Sequence, residues 1–255
     1  MKIKKAFSLA NEYYSKGDLR QAASIYNKIL KSFPDNVDAL HFMGIIYYQL
    51  GDHDSAIKYI ERELHLNPLS AEAYNNLGLV MKEKGRLNDA ISLFKKAIEL
   101  KPYFANAYYN LGLTYQDMKE YDEAIYNYER AIKIEPNFVE AYNNLGIVLR
   151  KVFRLDESVA CFKKALQINP NLANTYNNLG LSYQDKEQYD EALKCYQKAL
   201  QLNPNLADAY NNIGNVLRTK EEFEDSLKYY EKALSLNPNL PESYIGIGCY
   251  YQKKE

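Results

Sequence analysis

The chain has 255 residues and a formal net charge of −1, from 32 basic and 33 acidic side chains. A net charge so close to zero removes the usual electrostatic argument for binding nucleic acid or an anionic membrane surface. No apolar run approaches the ~20 residues that a membrane span needs, and the apolar stretch after the basic N-terminus is too short for a signal peptide, so the expected location is the cytoplasm.

Proline and glycine recur along the chain at a fixed interval. Seven of the eight prolines lie 34 residues apart, from Pro34 to Pro238, and seven of the eleven glycines keep the same interval, from Gly44 to Gly248. A constant interval of this length is the signature of a repeat protein. The sequence therefore predicts a single domain over residues 1–255, with no second domain and no linker. The predicted repeats are 3–36, 37–70, 71–104, 105–138, 139–172, 173–206 and 207–240, followed by a half-repeat at 241–255.

Each repeat is predicted to contain two helices. In residues 71–104, apolar residues recur at spacings of three and four over 74–81 and again over 90–98, which is typical of two amphipathic helices. Gly85 lies in the turn between them, and Pro102 ends the second helix. Positions are counted from the third residue after the preceding proline, and positions 4, 7, 8 and 11 of the first helix are expected in the core. Because one helix pair cannot bury both of its apolar sides, the repeats must stack, which predicts an all-α solenoid of fifteen helices without strands.

The residue types that recur from repeat to repeat resemble the tetratricopeptide repeat. They are an aromatic residue, Leu-Gly, Tyr, Ala, an aromatic residue, Ala and Pro at fixed offsets. The resemblance covers residues 3–255 and is closest in repeats three to seven, whereas Ala10 replaces the glycine of repeat one and Glu63 replaces an alanine in repeat two. It implies a right-handed superhelix whose first helices line a concave groove. Positions 2, 5, 6, 9, 12 and 13 of those helices would then face the groove. Position 5 never holds lysine, so the clamp with which some members of this family hold a terminal carboxylate is not expected.

Position 6 is asparagine in five successive repeats, and we call this set the asparagine ladder: Asn76, Asn110, Asn144, Asn178 and Asn212. A primary amide offers both a donor and an acceptor, so it can pair with the backbone of an extended peptide without reading its side chains. The ladder resembles the asparagines in the superhelix of O-linked N-acetylglucosamine transferases. The alternative is that repeat duplication copied an indifferent surface asparagine, as it would have copied the asparagines at position 5.

Two further groove positions carry a pattern. Position 12 holds the cations Lys82, Arg150 and Arg218 in odd repeats, and even repeats carry Gln-Asp at positions 12 and 13. The cations either pair with the aspartates of neighbouring first helices or bind acidic groups of a ligand. Position 9 forms either an apolar groove floor or part of the core between repeats, and its residues are Leu79, Leu113, Ile147, Leu181 and Asn215.

These features favour a non-catalytic scaffold that binds a protein or peptide partner in its concave groove. The alternatives are the substrate-recruiting part of a larger glycosyltransferase and a structural self-assembly module. We expect no enzyme activity, no cofactor and no nucleic-acid partner, since the repeats contain no nucleophile or phosphate-binding motif. We also expect no metal site, because the three histidines lie twelve residues apart in repeat two.

The eighth repeat ends after its first helix. The side chains that would pack on a second helix, Tyr244, Ile247 and Tyr251, therefore lack a partner, and Tyr250 is expected to have little cover. Exposing a large apolar side chain forfeits about 1.5–3 kcal/mol of burial. The sequence predicts self-association through this half-repeat, with a helix end that tolerates the exposure as the alternative.

Overall fold

The structure, a computed structural model, describes residues 3–254, and their side chains as far as residue 252. Within this range the chain forms fifteen α-helices and no strand, which confirms the predicted all-α repeat fold. The described residues form two compact units, which lie within Met1–Ile134 and Glu135–Glu255. That all repeats form one superhelix stays a prediction.

The odd-numbered helices are the first helices of the repeats, and the even-numbered helices are the second. Unit 1 contains α1 (Ile3–Ser15), α2 (Leu19–Ser32), α3 (Val37–Gln49), α4 (His53–Leu66), α5 (Ala71–Glu83), α6 (Leu87–Leu100), α7 (Ala105–Asp117) and α8 (Tyr121–Ile134). Unit 2 contains α9 (Val139–Lys151), α10 (Leu155–Ile168), α11 (Ala173–Asp185), α12 (Tyr189–Leu202), α13 (Ala207–Thr219), α14 (Phe223–Leu236) and α15 (Pro241–Lys254). The second helices end two residues before the repeated prolines, because proline lacks an N–H group and disfavours helical geometry in the residue before it.

The two helices of one repeat approach closely at the glycine of position 8. A Cβ atom added to Gly146 would lie 2.8 Å from ring carbons of Phe162, and one added to Gly112 would lie 2.8 Å from Tyr128. The rings of Phe162 and Tyr128 are fully buried. The glycine therefore makes room for the aromatic residue that fills the middle of repeats three to seven, and in repeat two it makes room for Ile60.

The predicted core register of the first helices was incomplete. In repeats two to seven, positions 3 and 10 are buried, as Ala141 and Val148 show in α9. The tyrosine at position 4 is only half-buried in most of the repeats that carry it, for example Tyr142. The reason is that each first helix packs on two neighbours. Helix α11, for example, contacts both α12 of its own repeat and α10 of the preceding one, so a pattern that describes one helix pair finds only one of its buried sides.

Candidate peptide-binding surface

Neighbouring first helices approach one another from α3 to α7 in unit 1 and from α9 to α15 in unit 2, and second helices do not. Helix α5 contacts α3 and α7, and α11 contacts α9 and α13. In the part of the chain that the structure describes, no two second helices of one unit have Cα atoms within 8 Å of each other. Each unit therefore curves with its first helices on the inner side. We call the exposed sides of these helices the inner surface of unit 1 (α3, α5, α7) and of unit 2 (α9, α11, α13).

The asparagine ladder is divided between the units and between two environments. Asn110 and Asn212 are only 8 % exposed. Their Nδ2 atoms donate to the side-chain oxygens of Asn75 (2.9 Å) and Asn177 (3.0 Å) on the preceding first helix. Asn76, Asn144 and Asn178 are half-buried instead. Two of the five amides thus donate a hydrogen bond to another side chain of the protein, which the sequence pattern did not predict.

The asparagines at position 5 connect successive repeats, a role that sequence reasoning missed. Asn75 and Asn177 accept the bonds just described from position 6 of the next repeat. Asn143 accepts from the hydroxyl of Thr175 at 3.1 Å, and Asn211 accepts from the hydroxyl of Ser243 at 2.8 Å. Both hydroxyls stand at position 3, where the other later repeats carry alanine. This exchange of hydroxyl for alanine was the signal in the sequence that could have revealed the connection.

The residues at position 9 combine the two roles that the sequence left open. All five are half-buried. Ile147 and Leu181 pack partly against buried core clusters and keep the remainder of their surface exposed. Asn215 differs, because its Oδ1 accepts a hydrogen bond from the Tyr230 hydroxyl at 2.9 Å.

Two of the three cations at position 12 pair with an aspartate of the next first helix, as one of the two interpretations predicted. Lys82 Nζ lies 2.7 Å from Asp117 Oδ2 in unit 1, and Arg150 Nη1 lies 3.0 Å from Asp185 Oδ2 in unit 2. Arg218, the third cation, instead donates from Nε to the Tyr230 hydroxyl at 3.3 Å.

The identity of the residue at position 12 is coupled to the core aromatic residue of the same repeat. Where position 12 is glutamine, the aromatic residue is tyrosine, and its hydroxyl donates to the glutamine oxygen at 2.8 Å in the pairs Tyr128–Gln116 and Tyr196–Gln184. Where position 12 is a cation paired with aspartate, the aromatic residue is phenylalanine, Phe94 or Phe162. Repeat seven breaks this rule by combining a cation with a tyrosine.

The half-repeat at the C-terminus agrees with its prediction in part. Tyr244 and Tyr251 are each 56 % exposed, whereas Ile247 is half-buried. The expectation for Tyr250 was wrong, since this ring is 8 % exposed and makes an edge contact with Tyr251. The helix turns Tyr250 inward, and Ile245 is a further exposed residue at 66 %.

Comparison with known families agrees with the repeat pattern and the stacked helix pairs. A family model described as the C-terminal domain of cilia and flagella-associated protein 70 matches residues 31–243, and a tetratricopeptide repeat model matches residues 7–36. The chain belongs to the tetratricopeptide repeat family. No curated protein matches the sequence.

Solved tetratricopeptide structures resemble the chain over much of its length. MamA is 37 % identical, with a TM-score of 0.56, and the match covers 63 % of this chain and 94 % of MamA. YrrB, described as a tetratricopeptide protein with an unusual peptide-binding site, is 25 % identical, with a TM-score of 0.64 and coverage of 74 % and 97 %. PilF of Pseudomonas aeruginosa is 21 % identical, with a TM-score of 0.72 and coverage of 86 % and 97 %, and shows the shared fold alone.

Tetratricopeptide repeats generally mediate contacts between proteins, and the inner surfaces are where this chain presents polar, apolar and charged side chains together. None of the helices within residues 3–254 combines the length and the apolar character needed to cross a membrane.

Proposed function

We propose that the chain is a non-catalytic scaffold that binds an extended segment of a protein partner on the inner surface of unit 2. The observation that carries the proposal is the side-chain amide of Asn178. It is half-buried on α11 and makes no hydrogen bond to another residue that the structure describes. An amide in this position keeps both its donor and its acceptor for a ligand backbone.

The neighbours of Asn178 suit a peptide ligand. Leu181 and Asp185 follow it at spacings of three and seven, so all three side chains lie along one side of α11. Leu181 and Ile147 of α9 offer apolar surface for peptide side chains. The Arg150–Asp185 ion pair borders this surface and gives it little net charge.

The size of the surface sets the length of the segment. Packed helices lie about 10 Å apart, and an extended chain advances ~3.3 Å per residue. The three first helices α9, α11 and α13 would therefore accommodate about six residues. The proposal is supported by YrrB, which is 25 % identical to this chain and is a tetratricopeptide protein with an unusual peptide-binding site.

The test is selection from a phage-displayed library of random nine-residue peptides. We expect wild-type protein to enrich peptides, and the Asn178→Ala variant to bind a selected peptide about tenfold more weakly, because a hydrogen-bonding group is lost. Asn205→Ala, the same change in an exposed loop between α12 and α13, is the matched control and should bind like the wild type. Absence of enrichment, or equal affinity of Asn178→Ala and wild type, would contradict the proposal.

Fewer asparagines are proposed to bind a ligand than the resemblance to O-linked N-acetylglucosamine transferases implies. Asn110 and Asn212 use their donors for contacts between repeats, so the proposed rung on the inner surface of unit 2 is the half-buried amide of Asn178. A role as the substrate-recruiting part of a glycosyltransferase stays a prediction.

A second candidate function is self-association through α15. It is favoured by the exposed rings of Tyr244 and Tyr251 and by exposed Ile245, which lie on a helix without a following partner helix within the described residues. Sedimentation over a range of concentrations should show a dimer that Tyr244→Glu with Tyr251→Glu dissociates. A monomer at all concentrations would exclude this function.

A further inference from the structure

Arg218 interrupts the charge pairing of the repeats. Lys82 and Arg150 each receive an aspartate from position 13 of the next repeat. For Arg218 the residue at that position is Lys253. Position 13 of repeat eight is therefore basic, whereas the same position of repeats four and six is acidic.

Among the described residues, the side chain of Arg218 is held by a tyrosine hydroxyl and not by a carboxylate. Its Nε donates to the Tyr230 hydroxyl at 3.3 Å, and that hydroxyl donates to Asn215 Oδ1 at 2.9 Å. Arg218 is half-buried, and it forms no ion pair within 4.0 Å with any side chain that the structure describes. The phenylalanines in repeats three and five could not hold a guanidinium in this way. Repeat seven therefore fixes one nitrogen and leaves two terminal amino groups for another partner.

We infer that Arg218 binds a side-chain carboxylate of the partner peptide, an aspartate or glutamate, on the inner surface of unit 2. This inference rests on the proposed function. The carboxylate would take the place that Asp117 and Asp185 take beside Lys82 and Arg150. A guanidinium with two free amino groups suits a carboxylate because it can donate two parallel hydrogen bonds.

The test uses peptides selected by wild-type protein from the displayed library, in which the peptide C-terminus is fused and only side chains can supply a carboxylate. We expect one acidic position among the enriched sequences. Fluorescence polarisation should show that changing this acid to its amide weakens binding to wild type about tenfold. The Arg218→Gln variant should bind both peptides with equal affinity.

Two further variants sharpen the test. Lys228→Gln removes one charge from α14, where Lys228 pairs with Asp225 at 2.7 Å, and should retain the preference for the acidic peptide. Lys253→Asp restores the repeating pattern of the sequence and should abolish the preference, because an aspartate at this position of the next repeat pairs with the cation of repeats three and five. Thermal unfolding curves of all variants check that they are folded.

The outcomes separate this inference from the proposed function. Peptides that depend on Asn178 but show no acidic position, or whose preference survives in Arg218→Gln, would overturn the role of Arg218 and leave peptide binding intact. If wild-type protein enriches no peptide, both the proposed function and the role of Arg218 are contradicted. A selected peptide that binds equally well as acid and amide, but more tightly with a free C-terminus, would show that a terminal carboxylate is bound and would also overturn the inference.

Discussion

Adjacent asparagines on one helix have different roles in this protein. Asn177 is 8 % exposed and accepts a hydrogen bond from Asn212 of the next repeat. Asn178, the next residue, is half-buried and reaches the inner surface. The first is expected to contribute to stability and the second to binding.

Substitution of each residue by alanine should separate the two roles. Asn177→Ala leaves the buried Asn212 amide without its acceptor, which should lower the free energy of unfolding by about 1–3 kcal/mol. Asn178→Ala should change it by no more than about 0.7 kcal/mol, because alanine is the better helix former and no bond within the fold is lost. Urea unfolding measures both. Equal destabilisation by the two variants would show that the position-6 amide is also structural.

At the scale of the helix, the closeness of the pair depends on the glycine at position 8. Gly146 faces the buried ring of Phe162, whereas a Cβ added to Gly248, at the same position of the half-repeat, would meet no atom of another described helix within 4 Å. Glycine is thus required by close packing at position 146 and is not required by packing at position 248. The repeat pattern alone gives both glycines the same meaning.

Changing both glycines to alanine should have opposite effects. Gly146→Ala places a methyl group 2.8 Å from the Phe162 ring and should destabilise the protein by about 1–3 kcal/mol through overpacking. Gly248→Ala should be neutral or stabilising by up to about 1 kcal/mol, because alanine loses less backbone freedom in a helix. Thermal unfolding of the two variants against wild type checks the signs. Destabilisation by Gly248→Ala would mean that something covers this face of α15.

At the scale of the whole molecule, stability is a sum over repeats and the contacts between neighbours. One contact within repeat two depends on pH. Glu63 is 2 % exposed in α4, and both of its carboxylate oxygens lie 3.1 Å from His41 Nδ1 of α3. The Ser70 hydroxyl, at the start of α5, donates to the same carboxylate at 2.9 Å. Glu63 was the departure from the pattern in repeat two, and the structure shows that it joins three helices.

The His41–Glu63 contact predicts a pH dependence of stability. The hydrogen bond to Glu63 raises the pKa of His41 above its ordinary 6.5, although burial acts in the opposite direction. The protonated ring is therefore favoured by folding. Its contribution is fully present below about pH 6.5, the pKa expected for an unfolded histidine, and is lost as the pH rises through the folded pKa. Urea unfolding between pH 5.5 and about pH 8.5 should show wild type losing stability relative to His41→Gln. Parallel curves for the two proteins would contradict the prediction.

The sequence by itself determined the repeat length, the helix pairs and the residues that separate them. Proline, glycine and the spacing of apolar residues act on the nearest turn of the backbone, so their effects can be predicted from a single repeat. The pairing of Lys82 and Arg150 with aspartates was one of two interpretations that the sequence allowed, because charges of opposite sign stand at nearby positions of adjacent repeats.

Only the tertiary structure decided which asparagines form contacts between repeats and which group holds Arg218. The donors to Asn75 and Asn143 come from 35 and 32 residues along the chain, and both distances are close to one repeat. Whether position 6 or position 3 supplies the bond depends on how neighbouring first helices pack. The free side of Arg218 likewise depends on a tyrosine hydroxyl reaching it from the second helix. Such contacts join residues that are remote in sequence, and the geometry between repeats selects among partners that the local pattern treats as equivalent.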